Sequence, residues 1–227
     1  MTRRIGCYHA HYSNIDYIQQ ALEPYDTELI HFVDPGLDRL KGDADFSTER
    51  GQRKIADMLG WIASSHVDAI LVTCTYFTAN LTEELERTLP VPVIKIDDPM
   101  LAQICTSDEP QLLVFTNPAT VEGTMSRVQR YAQRVGKAPQ VHIHLLDNAF
   151  QLIMMGKRRA YTELVSTGLE RLVVQYPQHQ LWAIQLSMLP AAVQVSLAGN
   201  IRIGNPLDAL TGEMVKLLKL ERLPHCK

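Results

Sequence analysis

The chain of 227 residues predicts an α/β fold of two similar lobes, each a parallel sheet flanked by helices. Three observations predict it. Short apolar runs alternate with longer segments of helical period. Several of those runs are continuous in Ile, Val and Leu, as strands buried on both faces are. One pattern also occurs twice: an apolar strand, a Cys or Ser, a helix, a short strand, then a polar pair with Pro.

Strands are predicted at Arg4–Tyr8, Glu28–Val33, Asp68–Thr73, Val93–Ile96, Gln111–Phe115, Val141–Leu145, Leu181–Leu186 and Ile201–Ile203. The first helix is expected after Ser13, which has the shape of a capping-box N-cap with Asp16 three residues on. Between Thr48 and Ser64 the residues Ile55, Met58, Leu59 and Ile62 keep one apolar face, which predicts a helix. Val121–Val135 and Thr162–Tyr176 are further helix segments. Asp34–Phe46, with Pro35, Gly36 and Gly42, reads as the longest loop and a candidate lid. The repeat joins Leu71-Val72-Thr73-Cys74 and Val93–Met100 to Ile184-Gln185-Leu186-Ser187 and Ile201–Leu207, which makes Cys74 and Ser187 equivalent positions. The expected lobes are 1–98 plus 208–227, holding Cys74, and 99–207, holding Ser187.

Composition narrows the function. Hydrophobic residues make up 46% and charged residues 21%, an ordinary globular balance. The net charge of −3 and the lack of a basic tract argue against a nucleic-acid partner. No apolar segment reaches the ~18 residues of a membrane span, and the N-terminus lacks a signal-peptide core. Cys7, Cys74, Cys105 and Cys226 show no CxxC spacing, so they read as free cytosolic thiols, and the expected localisation is cytoplasmic. There is no GxGxxG, no Walker A sequence and no GxSxG elbow. Lys157-Arg158-Arg159 reads as a solvated helix start.

Cys74 stands just past a buried strand and before a helix, the edge where open α/β sheets bind ligands. A helix N-terminus also makes a thiol more acidic. A packed, inert cysteine is the bland alternative, but Thr73, Thr75, Tyr76 and Thr78 surround this one with hydroxyls.

Asp68-Ala69-Ile70-Leu71-Val72-Thr73-Cys74-Thr75 resembles the first cysteine motif of the aspartate/glutamate/hydantoin racemase superfamily. Leu112-Leu113-Val114-Phe115-Thr116-Asn117-Pro118-Ala119-Thr120-Val121 is similar to that family's mid-chain motif, and the order of elements matches along nearly the whole chain. The resemblance implies two α/β lobes related by a pseudo-twofold, with the active site in the cleft. It implies a cofactor-independent racemase or epimerase that needs neither pyridoxal phosphate nor a metal and acts α to the carboxylate of a small amino acid or related acid. Cys74 would be one acid/base. Thr75, Thr116, Asn117 and Thr120 would hold the carboxylate, with His9, Ser13 and Met188 as further substrate contacts, and a homodimer is the expected assembly.

The chain departs from the pattern at the second cysteine, where it reads Gln185-Leu186-Ser187-Met188-Leu189-Pro190. Ser187 then takes the second catalytic place, although an alcohol is a poor base without a neighbouring one. Two other readings follow: a single-thiol decarboxylase or isomerase of the same superfamily, and a small-carboxylate-binding protein without catalysis. The first strand ends in Tyr8-His9-Ala10-His11-Tyr12-Ser13 in place of the loop of glutamate racemases, which argues against glutamate as substrate. His9 and His11 form an H-x-H pair, as do His142 and His144, a weak metal signal without a third ligand. His142 and His144 read as solvated or hydrogen-bonded strand residues. His9 reads equally as a donor or acid/base for an anionic substrate and as a residue that shapes its loop.

Overall fold

The computed structural model describes residues 1–40 and 42–224, with Cys226 and the end of the first expected lobe outside the described residues. The chain divides into two compact units, Met1–Asp98 with the segment from Ala209 onward, and Pro99–Asp208. Eight strands are described: β1 (Arg3–His9), β2 (Thr27–Val33), β3 (Ala69–Val72), β4 (Val93–Lys95), β5 (Gln111–Phe115), β6 (Val141–Leu145), β7 (Gln180–Ala183) and β8 (Ile203–Gly204). The helices of the first half are α1 (Asn14–Leu22), α2 (Pro35–Leu40), α3 (Thr48–Ala63), α4 (Thr75–Ala79) and α5 (Glu83–Thr88). Those of the second are α6 (Asp98–Thr106), α7 (Val121–Val135), α8 (Ala149–Met154), α9 (Arg158–Gln175), α10 (Leu189–Gly199) and α11 (Leu207–Leu218).

Each unit holds a four-stranded parallel sheet, in the order β2-β1-β3-β4 and β6-β5-β7-β8. The second order repeats the first, strand for strand. β3 and β5 are buried at every residue, which explains their unbroken apolar sequences. In the second unit the two faces of the sheet separate cleanly. Leu112, Val114, Leu181 and Ala183 pack with Val165 and Leu169 of α9 and Ala192 of α10. The alternate residues Leu113, Phe115, Trp182 and Ile184 pack with Leu101 and Ile104 of α6 and Val128 of α7. In the first unit Tyr8, Ile70 and Val72 pack with Ile55, Leu59 and Ile62, the predicted apolar face of α3. Among the described residues no helix is long and apolar enough to cross a membrane.

Three expectations are corrected. The segment Asp34–Phe46 is not a plain loop, because α2 opens it. Asp34 Oδ1 accepts the Leu37 N–H at 3.1 Å, and Pro35 in the first turn has no N–H to lose. Ser13 precedes α1 but makes no side-chain cap; its Oγ bonds His11 Nδ1 at 2.8 Å instead. β7 stops at Ala183, and Leu186–Met188 form a 3₁₀ turn that leads into α10. That early stop changes which residues of the two units correspond.

Candidate active site

In unit 1, β1 and β3 end side by side. The Thr73 N–H donates to Tyr8 O at 3.0 Å, which extends the ladder by one residue and leaves Cys74 as the first residue beyond it. Cys74 is the N-cap of α4, in extended backbone (φ −111°, ψ 122°), and it is half-buried. It packs, with Tyr76, against the cluster that holds Tyr8 and Phe77. Burial first, and Asp34 after it, push that phenol's ionisation far up, so Tyr8 stays a neutral donor to Asp34 at 3.3 Å. Thr75 is buried at the start of α4, and its carbonyl accepts from Thr78 Oγ1 at 3.0 Å.

His9 lies at the end of β1, fully buried, with both ring nitrogens engaged: Nδ1 with Thr73 Oγ1 at 2.7 Å and Nε2 with His31 Nδ1 at 2.9 Å. Thr73 gives its hydroxyl proton to Tyr8 O, so His9 Nδ1–H donates to Thr73 and His9 Nε2 accepts from His31. Burial, with His31 adding a smaller effect, lowers the His9 pKa to about 3. A neutral imidazole locked on both sides is a structural strut, which favours the loop-shaping reading of the sequence. Asn14, not singled out by the sequence, donates from Nδ2 to Thr73 O and Oγ1. Ser13 is buried against His11.

The metal signal is relocated. The strand period places Cys7 and His9 on one face of β1, and His31 pairs in register opposite Cys7. Cys7, His9 and His31 bring one ligand atom each within 4.8 Å of one another. A thiol with two imidazoles is a donor set suited to zinc or copper(I). His11 is not part of this group, and His142 bonds His179 at 3.1 Å, as a hydrogen-bonded strand histidine would.

In unit 2 the same strand ends carry a polar chain. The Ile184 N–H donates to Val114 O at 3.2 Å, as Thr73 does to Tyr8. Asn117 Oδ1 accepts the Ala119 N–H, as His11 Nδ1 accepts that of Ser13, and Asn117 O accepts Thr120 N as His11 O accepts Asn14 N. The match is residue by residue, and it pairs Cys74 with Gln185 (φ −105°, ψ 139°), not with Ser187. The expected equivalence is therefore shifted by two positions. Gln185 Oε1 accepts from Thr116 N at 2.7 Å, Thr116 Oγ1 at 2.8 Å and Asn117 N at 3.0 Å. Two backbone N–H groups can only donate, so they fix which end of the amide is oxygen.

Proton directions follow from that. Thr116 gives its one hydroxyl proton to Gln185, so it accepts from Tyr161 Oη at 3.1 Å, and Tyr161 accepts from Ser187 Oγ at 2.8 Å. Ser187, half-buried, keeps its lone pairs for anything else it meets. Thr116, Asn117 and Thr120 are buried, and Thr120 Oγ1 donates to Asn117 O at 2.8 Å. Met188 is corrected from a substrate contact to a core residue. It is fully buried among Leu169, Ala191 and Val195, because the 3₁₀ turn rotates it away from the face of Ser187. Tyr161 and Gln185 were missed. Tyr161 carries no local signal, since α9 packing alone brings it to the strand ends.

No family model matches the chain, and no curated protein matches it. Solved structures do. Glutamate racemase RacE1 of Bacillus anthracis is 15% identical, with 96% of this chain and 82% of that chain covered at a TM-score of 0.69. Aspartate racemase of Picrophilus torridus is 11% identical, with 97% and 96% covered at 0.67. Allantoin racemase of Klebsiella pneumoniae is 13% identical, with 99% and 91% covered at 0.67.

Proposed function

From a chain that carries the α/β fold of these racemases, we propose a cofactor-independent enzyme of the aspartate/glutamate/hydantoin racemase superfamily that removes a proton α to a carboxylate, with Cys74 as the acid/base. The observation that carries this reading is the contrast among the thiols. Burial pushes the Cys7 thiol up to about 12 and the Cys105 thiol to about 11, so neither forms a thiolate near neutral pH. Cys74 is half-buried at a strand end, as the N-cap of α4.

In the proposed step the Cys74 thiolate takes the α-proton. The S–H bond forms as the C–H bond breaks, and the electron pair moves onto the carboxylate. Reversal of the step on the same face exchanges the proton; delivery to the opposite face inverts the centre. Ser187 is the proposed second group. Its hydroxyl proton is held by Tyr161, and an alcohol is a weak base, so inversion is slow beside exchange. Thr75, Thr116, Asn117 and Thr120 are the proposed oxyanion-seat residues, and in unit 2 the seat formed by Thr116 and Asn117 already holds Gln185 Oε1.

Incubation with amino acids, hydantoins and malonates in deuterated water tests this. Exchange with inversion identifies a racemase, and exchange with retention a one-base site. Carbon dioxide release identifies a decarboxylase. No exchange and no release across the panel contradicts the reading and leaves a binding protein.

A further inference from the structure

In the reading above, Thr116 and Asn117 form an oxyanion seat. In the structure that seat holds another oxygen. We propose that Gln185 is the specificity-determining residue of unit 2: its side-chain amide occupies the seat of an anionic oxygen and so excludes a free carboxylate from it. The inference rests on that assignment of Thr116 and Asn117 as an oxyanion seat, and on two independent features of the fold.

The first is position. The ladder register makes Gln185 the counterpart of Cys74, with the same extended backbone at the same step beyond the sheet. The residue at this point of each unit projects from the strand end where ligands of such sheets bind. In unit 1 it is a thiol, and in unit 2 a neutral amide.

The second is the quality of the fit. Three donors converge on one oxygen within 2.7–3.0 Å, two of them backbone N–H groups buried with their residues. Buried N–H groups need an acceptor, and an oxygen of any suitable ligand would satisfy the same three. A carboxylate oxygen would bind them more strongly than an amide oxygen does, since charge-assisted hydrogen bonds are roughly twice as strong. Gln185 has the advantage of being attached, so its carbonyl competes with no loss of translational freedom. The Gln185 Nε2 group makes no hydrogen bond among the described residues, so the amide offers donors outward while its oxygen faces in. The ligand that suits this arrangement presents a neutral or shared acceptor, such as an amide or ring carbonyl, to unit 2 in place of a second free carboxylate.

The test titrates acetate and malonate into the intact protein, following the Thr116 and Asn117 amide resonances. The wild type is expected to show no saturable shift at these two amides. Gln185→Ala should show one, with apparent affinity at least about tenfold tighter, as the loss of a bound competing oxygen implies. Gln185→Glu should again show none, because its own carboxylate fills the seat, and its carboxyl should titrate below the usual range. A saturable wild-type shift equal to that of Gln185→Ala overturns the proposal, as does an unmoved Gln185→Ala. If Gln185→Ala fails to fold, the Glu variant decides: an ordinary carboxyl titration overturns the proposal. Deuterium exchange by the same variants reports separately on Cys74, so failure of the catalytic reading and failure of this one are told apart.

Discussion

At the scale of single residues, thiols and imidazoles differ by burial more than by type. Cys7 and Cys105 are fully buried, whereas Cys74 is not. Limiting iodoacetamide on native protein should therefore label Cys74 ahead of both, with peptide mass mapping as the readout. Preferential labelling of Cys7 or Cys105 would contradict the assignment. His9 gives a second expectation. Its folded pKa lies near 3 against an ordinary 6.5, so the folded state resists protonation. The contribution of His9 is fully present above about pH 6.5 and declines as pH falls toward about 3, at up to about 1.4 kcal/mol per pH unit. His31, also lowered by burial, adds to the same slope. Urea unfolding between pH 7 and pH 4 should show this loss. His9→Gln, which cannot titrate, should flatten it; an unchanged slope would mean that other groups govern acid stability.

At the scale of elements, the strands were legible because burial on both faces removes polar alternation, as in Ala69-Ile70-Leu71-Val72. α7 was legible to the residue, since Gly136 in the left-handed region (φ 67°) closes it after a strong apolar period. α2 was hidden because its signal is a cap and a proline, while Gly36 suggests a turn. Replacing the cap tests that account. Asp34→Ala should cost about 1–2 kcal/mol, and Asp34→Asn, which keeps the acceptor, should recover part of it. Gly204 supplies a packing test. A Cβ there would meet the Trp182 indole, whose Nε1 is tied to Gln111 Oε1 at 2.6 Å and cannot easily yield. Gly204→Ala should lower stability by about 1–3 kcal/mol in thermal or urea unfolding. The candidate site was legible only where sequence neighbours make it. Cys74, Thr116 and Thr120 stand in motifs, while Tyr161 and His31 reach the strand ends from distant elements. The shift from Ser187 to Gln185 was invisible because strand ends are the least certain boundary, and the 3₁₀ turn starts at Leu186, directly after Gln185, and takes in Ser187.

At the scale of the whole molecule, two units share one strand order and one hydrogen-bond plan at their strand ends, yet carry different chemistry there. Unit 1 presents a thiol, and unit 2 presents an amide and a hydroxyl whose proton points inward. That asymmetry implies one efficient acid/base rather than two. Gln185→Cys, which places a thiol at the counterpart of Cys74, should therefore raise the ratio of inversion to exchange more than Ser187→Cys does. The reverse order would show that Ser187, and not the register counterpart of Cys74, is the better-placed position for a second acid/base. The central claim is that Cys74 removes an α-proton, and deuterium incorporation at that carbon reads it directly. For a substrate that exchanges with the wild type in deuterated water, Cys74→Ala should cut the incorporation rate by about 10²- to 10⁴-fold with the fold intact by circular dichroism. Incorporation at the wild-type rate in Cys74→Ala would contradict the account.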